Sequence, residues 1–380
     1  MLAPRDAGDL GQIVRDALAH GTRIELAGGG TRADCGAPRD AEVVSLAALA
    51  GVVDYDPAEL VLTVRPATPL AAVQALVAGE GQMLAFEPWG APGATIGGTV
   101  AAGVAGSRRV TAGSARDHLL GFTAVSGRGE RFVAGAKVVK NVTGYDLPKL
   151  MAGSWGRLGA MTELTLKVLP APRVTATLVA EGLSPQAAHA AMACALGSNA
   201  EVSAAAHLRR GITLLRVAGF APSVTARCAA LPGLLEGHCA LRLADEAEAA
   251  PLWAEAMTGA ALPGAVLWQV HLPPRQAPAL LAALDAAGLA ADWAMDWGGG
   301  RLWIGLDDER ELLRTVVQHA GGEATLVRAP ERMRGQVAAL HPRAPGVAAL
   351  EQRVRRAFDP AGVFATGRFG EDVHADQLPA

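Results

Sequence analysis

Residues Trp89 to Ser107 run for nineteen positions without a charged side chain, and six of those positions are glycine. That length is close to what a membrane-spanning helix needs. The composition is wrong for one: the run holds Pro92 as well, and few of its side chains are large enough to face lipid. Dense glycine without large apolar groups instead means backbone lying close to backbone, or backbone lying close to a ligand. Two further glycine segments flank it. Gly28-Gly29-Gly30-Thr31 follows a short apolar run, and Gly153-Ser-Trp-Gly-Arg-Leu-Gly159 precedes an alternating one.

Exposed backbone N–H groups in such loops suit an anion. Arg108 and Arg109 follow the central segment at once, as they would beside a phosphate. The first loop fits G-x-G-x-x-A through Gly28, Gly30 and Ala33. A Rossmann fingerprint, however, must open a helix within a βαβ unit. Here the chain continues as Asp34-Cys-Gly-Ala-Pro38, which cannot carry an amphipathic helix. Three glycine segments in succession, each joined to a strand, point to one large phosphate-bearing ligand.

The 380 residues are enough for two cores. Helical spacing covers 10–20 and about 69–78; strands are expected at 23–26, 61–64, 83–86 and 161–169, with a hairpin at 120–126 and 130–133. Pro170-Ala-Pro-Arg173 marks a boundary. Beyond it, alanine-rich helical pieces at about 184–196, 246–258 and 276–287 alternate with strand-like runs at 213–217, 266–272 and 302–306. This is an α+β pattern. Trp253, Trp268, Trp293, Trp297 and Trp303 are expected to fill the core of this second half, with substrate stacking as the lesser alternative. Charge is balanced, with a net −3 and no basic stripe, so nucleic acid is not expected as a partner. Cys35, Cys194, Cys228 and Cys239 form no C-x-x-C pair and read as reduced thiols, and the histidines include no H-E-x-x-H, so no metal site is expected. The first nine residues have no apolar run like that of a signal peptide, which suggests a cytoplasmic chain.

The motifs in order are G-G-G-T, A-T-I-G-G-T-V-A-A-G, G-S-x-R-D, K-N-V-x-G-Y-D-L and G-S-x-G-x-L-G-x-x-T-E. In that order they resemble the FAD-binding domain of the vanillyl-alcohol-oxidase type, also called the p-cresol-methylhydroxylase (PCMH) type. Within it the strings GQMLAFEP, DWGGG at 296–300 and FDPAGVFATGRF at 358–369 are similar to the E subunits of glycolate oxidases (glycolate dehydrogenases). The resemblance spans most of the chain and is weak from about 175 to 260.

The resemblance implies a PCMH-type domain of two α+β subdomains over 1–172. A smaller α+β cap with antiparallel sheet would follow over 173–335, and a segment over 336–380 would return to the first domain. It implies FAD along Ala27, Gly28, Gly29, Gly30, Thr31 and Arg32, then Pro92, Gly93, Ala94, Thr95, Ile96, Gly97, Gly98, Gly103 and Ser107. Ser114 and Asp117 would reach the nucleotide side, with Gly156, Gly159, Ala160 and Met161 along the cofactor. Glu163 is either beside the cofactor or a strand-surface carboxylate. Lys140, Asn141 and Tyr145 are either near the cofactor or fold-stabilising. Flavins of this fold are often tethered through a histidine in the first loop. Thr31 stands there, so FAD is expected to be noncovalent. Trp155 replaces an acid common in larger relatives, and Arg368 stands where they have lysine.

The implied activity is oxidation of a 2-hydroxy acid, glycolate to glyoxylate. Partners would be a larger FAD-linked D subunit and an iron–sulfur F subunit, with peripheral membrane association through the complex. Such oxidation needs a base and a cation for the carboxylate. His271, Arg275, His341, Arg343 and Arg368 are the candidates, none decisive: His271 lies in an apolar run and reads more readily as a core histidine than as a catalytic one. An autonomous D-lactate-like dehydrogenase and a flavin-fold scaffold without activity are the alternatives.

Overall fold

The computed structural model describes residues 1–136, 144–308 and 312–370. The chain gathers into two compact units. One comprises 1–105, 113–170 and 342–380; the other comprises 106–112 and 171–341. Lys140 and Asn141 lie outside the described residues.

The first unit opens with helix α1, Ala7–His20. Asp6 caps it by accepting the Asp9 N–H, and Gly21 ends it in the left-handed conformation at φ 65°. Its Leu10, Val14 and Ala17 stripe is buried against Ile24, Val44, Val363 and Phe364. Strand β1, Ile24–Ala27, pairs in parallel with β2, Glu42–Ser45. Then come β3 (Val52–Asp56), β4 (Val61–Val64), helix α2 (Leu70–Gly79) and β5 (Gln82–Met83). The strand expected over 83–86 is only these two residues: Leu84, Ala85 and Phe86 are buried, but the chain turns there, with Glu87 N–H donating to Leu84 O. Helix α3, Ile96–Ala101, lies within the central glycine segment. Strands β6 (Leu119–Val125), β7 (Arg131–Gly135), β8 (Ala160–Lys167) and β9 (Leu169–Pro170) follow.

An antiparallel sheet in the order β3-β4-β8-β6-β7 carries the unit's second core. The alternation expected for 161–169 is visible in β8, where Leu164 and Leu166 are buried and Glu163, Thr165 and Lys167 only partly so. The C-terminal segment is sewn to this unit. Asp359, at the end of helix Pro345–Phe358, accepts the Val363 and Phe364 N–H groups at 2.9 and 2.8 Å, and Val363 O accepts the Ile24 N–H.

The second unit is an eight-stranded sheet of β10 (Val174–Ala180), β11 (Val202–Leu208), β12 (Ile212–Gly219), β13 (Arg242–Ala244), β14 (Val266–His271), β15 (Asp292–Asp296), β16 (Arg301–Leu306) and β17 (Glu323–Arg328). Its spatial order is β13-β10-β12-β11-β15-β16-β14-β17. Helices Pro185–Leu196, Glu246–Thr258 and Ala277–Ala286 fall where the alanine-rich periodicity places them. All five tryptophans of this half are buried, and Trp253 Nε1–H donates to Thr177 Oγ1 at 3.0 Å.

His207 on β11 is fully buried. Its Nδ1 lies 2.9 Å from Thr213 Oγ1 and its ring is 5.6 Å from that of Trp293. Burial pushes its pKa down to about 4. The unfolded chain, with a value near 6.5, therefore takes up the proton first as pH falls. Stability from this group is complete above about 6.5 and is lost between there and about 4. His207→Phe is expected to abolish about 2 kcal/mol of the stability loss between pH 7 and pH 5. Urea midpoints at the two pH values measure it; an unchanged pH dependence contradicts it.

Candidate functional site

A cleft of about 280 Å³ opens in the first unit. Three stretches wall it: the end of β1 at Ala27 with the loop that follows to Ala33, the start of α3 at Thr95, Gly97 and Gly98, and the turn before β8 at Trp155, Gly156 and Gly159 with Met161 of β8 itself. Glu25, Arg39 and Arg368 stand at its side.

The glycines build this cleft in different ways. A Cβ on Gly29 would fall 1.7 Å from the Gly93 carbonyl oxygen, so the first two glycine segments touch backbone to backbone. A Cβ on Gly97 would fall 2.5 Å from Pro66, whose carbonyl accepts the Gly97 N–H at 2.8 Å. Gly97 thus fastens α3 to the turn that follows β4. Gly98 is exposed on the cleft wall, and a Cβ there would meet only Thr95 Oγ1, at 3.2 Å.

One side of the cleft is cationic. Arg368 Nη1 donates to Glu25 Oε1 at 2.8 Å, its Nε donates to Cys35 O at 2.7 Å, and its Nη2 donates to Arg32 O. Arg39 lies 3.5 Å from the same Glu25 carboxylate. Arg32 packs over the Trp89 ring at 4.9 Å. Burial, then the nearby Arg368, lowers the guanidinium pKa of Arg32. Three cations against one carboxylate leave an excess that an anion would offset. A cleft with glycine backbone walls and this excess fits a dinucleotide diphosphate.

Of the residues expected along the cofactor, Ala27, Gly28, Gly29, Gly30, Thr31, Arg32, Thr95, Gly97, Gly98, Gly156, Gly159 and Met161 line the cleft. Pro92, Gly93, Ala94, Ile96 and Ala160 are not among its lining residues. Gly103, with φ 66°, instead lets the chain pass Gly153, whose Cα a Cβ would approach to 3.3 Å. Ser107 belongs to the second unit and its hydroxyl donates to Asp296 at 2.7 Å. Ser114 and Asp117 form a capping box on the short helix Ala115–His118, a spacing the sequence displays. Glu163 accepts from Thr123 across the β6–β8 ladder at 3.3 Å. Tyr145 is 91% exposed.

The catalytic candidates are dispersed. Arg368 is tied into the cleft wall as described. Arg275 sits exposed on a 3₁₀ turn, and His341 Nδ1 accepts the Ala324 N–H at 3.2 Å. Arg343 faces Glu351 at 3.4 Å. His271 stacks on Trp297 in the second unit, with ring centroids 5.1 Å apart. Sequence reading did not mark Glu25 and Arg39 as cleft residues, because they reach it from strand and loop positions with no local motif.

Comparison with known proteins shows the family. The FAD binding domain family matches residues 1–135. The glycolate oxidase subunit GlcE of Escherichia coli (strain K12) is 33% identical over 361 residues, covering 93% of this chain and 95% of that protein. The glycolate oxidase subunit GlcD of Bacillus subtilis (strain 168) is 30% identical over 183 residues, 47% of this chain and 39% of that one. A D-lactate dehydrogenase of Anaerostipes hadrus is 35% identical over 42% of this chain and 32% of its own length. Among solved structures, an alkyldihydroxyacetonephosphate synthase superposes with a TM-score of 0.67 at 14% identity, covering 95% of this chain and 75% of that one, a likeness of fold. The fold is the PCMH-type FAD-binding fold and the cofactor is FAD. The chain belongs to the GlcE family, FAD-binding oxidoreductases related to enzymes of hydroxy-acid oxidation.

Proposed function

We propose that this chain is the flavin-holding E subunit of a glycolate-oxidising complex, binding FAD noncovalently in the cleft of the first unit. The observation that carries the reading is the alignment with GlcE along 95% of that protein, whereas the GlcD and D-lactate dehydrogenase relatives align over less than half of this chain. In this reading residues 1–172 hold FAD, 173–335 form the cap, and 336–380 close back on the FAD domain. Backbone from Gly28 to Arg32 takes the pyrophosphate, and Arg32, Arg39 and Arg368 supply the balancing charge. Gly98 and Gly156 leave room for the cofactor's body. Thr31 stands at the tethering position and has no imidazole to bond the flavin.

Converting glycolate to glyoxylate removes two electrons and two protons, and FAD when bound supplies a two-electron acceptor. The four cysteines are dispersed along the chain, so the iron–sulfur carrier is assigned to a partner F subunit, beside a larger FAD-linked D subunit. Among the described residues no helix is long and apolar enough to cross a membrane. We place the complex in the cytoplasm, with any membrane contact made peripherally through the partners.

The test is anaerobic mixing of glycolate with the FAD-loaded chain, alone and co-purified with D and F subunits. Flavin bleaching only in the complex is expected. Full bleaching of the isolated chain by glycolate or D-lactate would make it an autonomous dehydrogenase, and no bleaching in either sample would remove the glycolate assignment.

A further inference from the structure

The turn before β8 carries a strained residue. Gly153 and Gly156 take positive φ there, as glycine does readily. Trp155 between them takes φ 57° with the bulkiest of side chains. A left-handed conformation has an energetic cost for any residue with a Cβ, and such strain collects at functional sites. The backbone is pinned from outside the turn: Trp155 N–H donates to Ala101 O, at the end of α3, at 2.8 Å. That contact accounts for the strain but not for the indole, which is half-buried in the cleft wall.

The indole meets the C-terminal segment of the same unit. The Phe369 ring lies 5.1 Å from it, tilted by 57°. The two rings thus make an open corner, and the Arg368 guanidinium sits in it, 5.1 Å from the Trp155 centroid and 5.2 Å from that of Phe369. Both distances are within reach of a cation–π attraction. Arg368 is buried, and burial lowers its pKa while Glu25 opposes the change. Glu25 is a shared partner: Arg39 lies 3.5 Å from its carboxylate, and the Thr366 hydroxyl donates to it at 3.2 Å. The carbonyls of Cys35 and Arg32 orient the guanidinium but bring no charge. A buried cation with part of one carboxylate needs further compensation. A second acid would neutralise it and compete with any anion in the cleft. Two ring faces offset the burial and leave the positive charge in place.

We propose that Trp155 is a positioning residue of the cofactor cleft, forming with Phe369 an aromatic corner that holds the Arg368 guanidinium in the wall for the diphosphate of a dinucleotide. Trp155 acts through Arg368. This inference rests on the reading that the cleft of the first unit takes FAD.

The experiment titrates ADP, which carries the diphosphate and no flavin, into the flavin-stripped full chain by calorimetry. Trp155→Leu, which keeps an apolar side chain without a ring, is expected to weaken ADP at least tenfold. Trp155→Phe, which restores a ring face, is expected to weaken it only two- to threefold. Phe369→Leu removes the other ring and leaves the strained turn as it is; three- to tenfold weakening is expected, and this variant supplies the comparison if Trp155→Leu does not fold. The decisive arm is a double-mutant cycle. In an Arg368→Met background, Trp155→Leu or Phe369→Leu should weaken ADP by less than twofold further, because the residue through which the rings act is gone. A full additional loss in that background overturns the proposal, since the rings would then act on the ligand or the fold directly. Equal weakening by Trp155→Phe and Trp155→Leu overturns it as well. A wild-type chain that takes up FAD but not ADP also overturns it and leaves the FAD reading standing, whereas a chain that takes up neither removes both. No electrons move on ADP binding, so each outcome is separate from whether glycolate reduces the flavin.

Discussion

Gly98→Val is expected to give a folded protein that no longer retains FAD. The position is chosen because the structure separates its effect on the cofactor from its effect on the fold. A Cβ on Gly98 meets only Thr95 Oγ1, at 3.2 Å, and beyond it lies the open cleft. The helix itself tolerates the change, since valine is a better helix residue than glycine. The two added methyl groups therefore occupy volume that a bound cofactor needs. FAD affinity should fall by at least about 100-fold, equivalent to roughly 2.8 kcal/mol. Gly97→Ala makes the contrast: its Cβ would press on Pro66 at 2.5 Å, so it should lower the melting temperature of the protein even without FAD. Flavin absorbance after gel filtration and circular dichroism melts distinguish the two. Wild-type flavin occupancy in Gly98→Val would show that this wall does not face the cofactor.

Arg301→Met should destabilise the second unit by about 3–5 kcal/mol, because it leaves a buried carboxylate without its cation. Arg301 is 1% exposed and Asp296 is 0% exposed, so water cannot replace the lost partner. The five buried tryptophans of this unit report its unfolding by fluorescence. Replacing both partners, Arg301→Met with Asp296→Leu, should recover part of the loss, since no uncompensated charge remains. The pH dependence has a definite sign. Burial, opposed by Arg301 and the other donors, already raises the Asp296 carboxyl above its ordinary range. Without Arg301 it rises further, and the folded state then binds the proton before the unfolded chain does. The penalty of Arg301→Met should accordingly shrink as pH falls. A penalty below about 1 kcal/mol, or one independent of pH, would mean that the carboxylate does not depend on Arg301 for its charge.

Much of this was legible in the sequence, for reasons that differ by element. The strand Ala160–Lys167 announced itself by alternation, because one of its faces is buried and the other only partly. The helices Pro185–Leu196 and Glu246–Thr258 carry N-caps, Ser184 and Asp245, at readable positions. Strand Val202–Leu208 was not legible. Its Val-Ser-Ala-Ala-Ala-His-Leu run has helix-forming alanines and no alternation, because it is central in an eight-stranded sheet and every one of its residues is buried. The glycine walls of the cleft were readable because few other arrangements explain so many residues without side chains. What each glycine does was not. Gly97 serves Pro66, Gly103 serves Gly153, and Gly98 faces the cleft, distinctions set by packing between distant segments. Ser114 and Asp117, which the resemblance puts on the nucleotide side, form a capping box. That His271, Arg301 and Asp296 stand in one row across three strands depends on strand register, which no local motif encodes.

The central claim is that this chain holds one FAD, noncovalently, in the cleft of its first unit. Its most direct test is a titration of the flavin-stripped chain with FAD, followed by acid precipitation of the saturated protein. The account predicts saturation at one FAD per chain and a yellow supernatant over a colourless pellet. A chain that takes up no FAD, or a pellet that stays yellow, would contradict it.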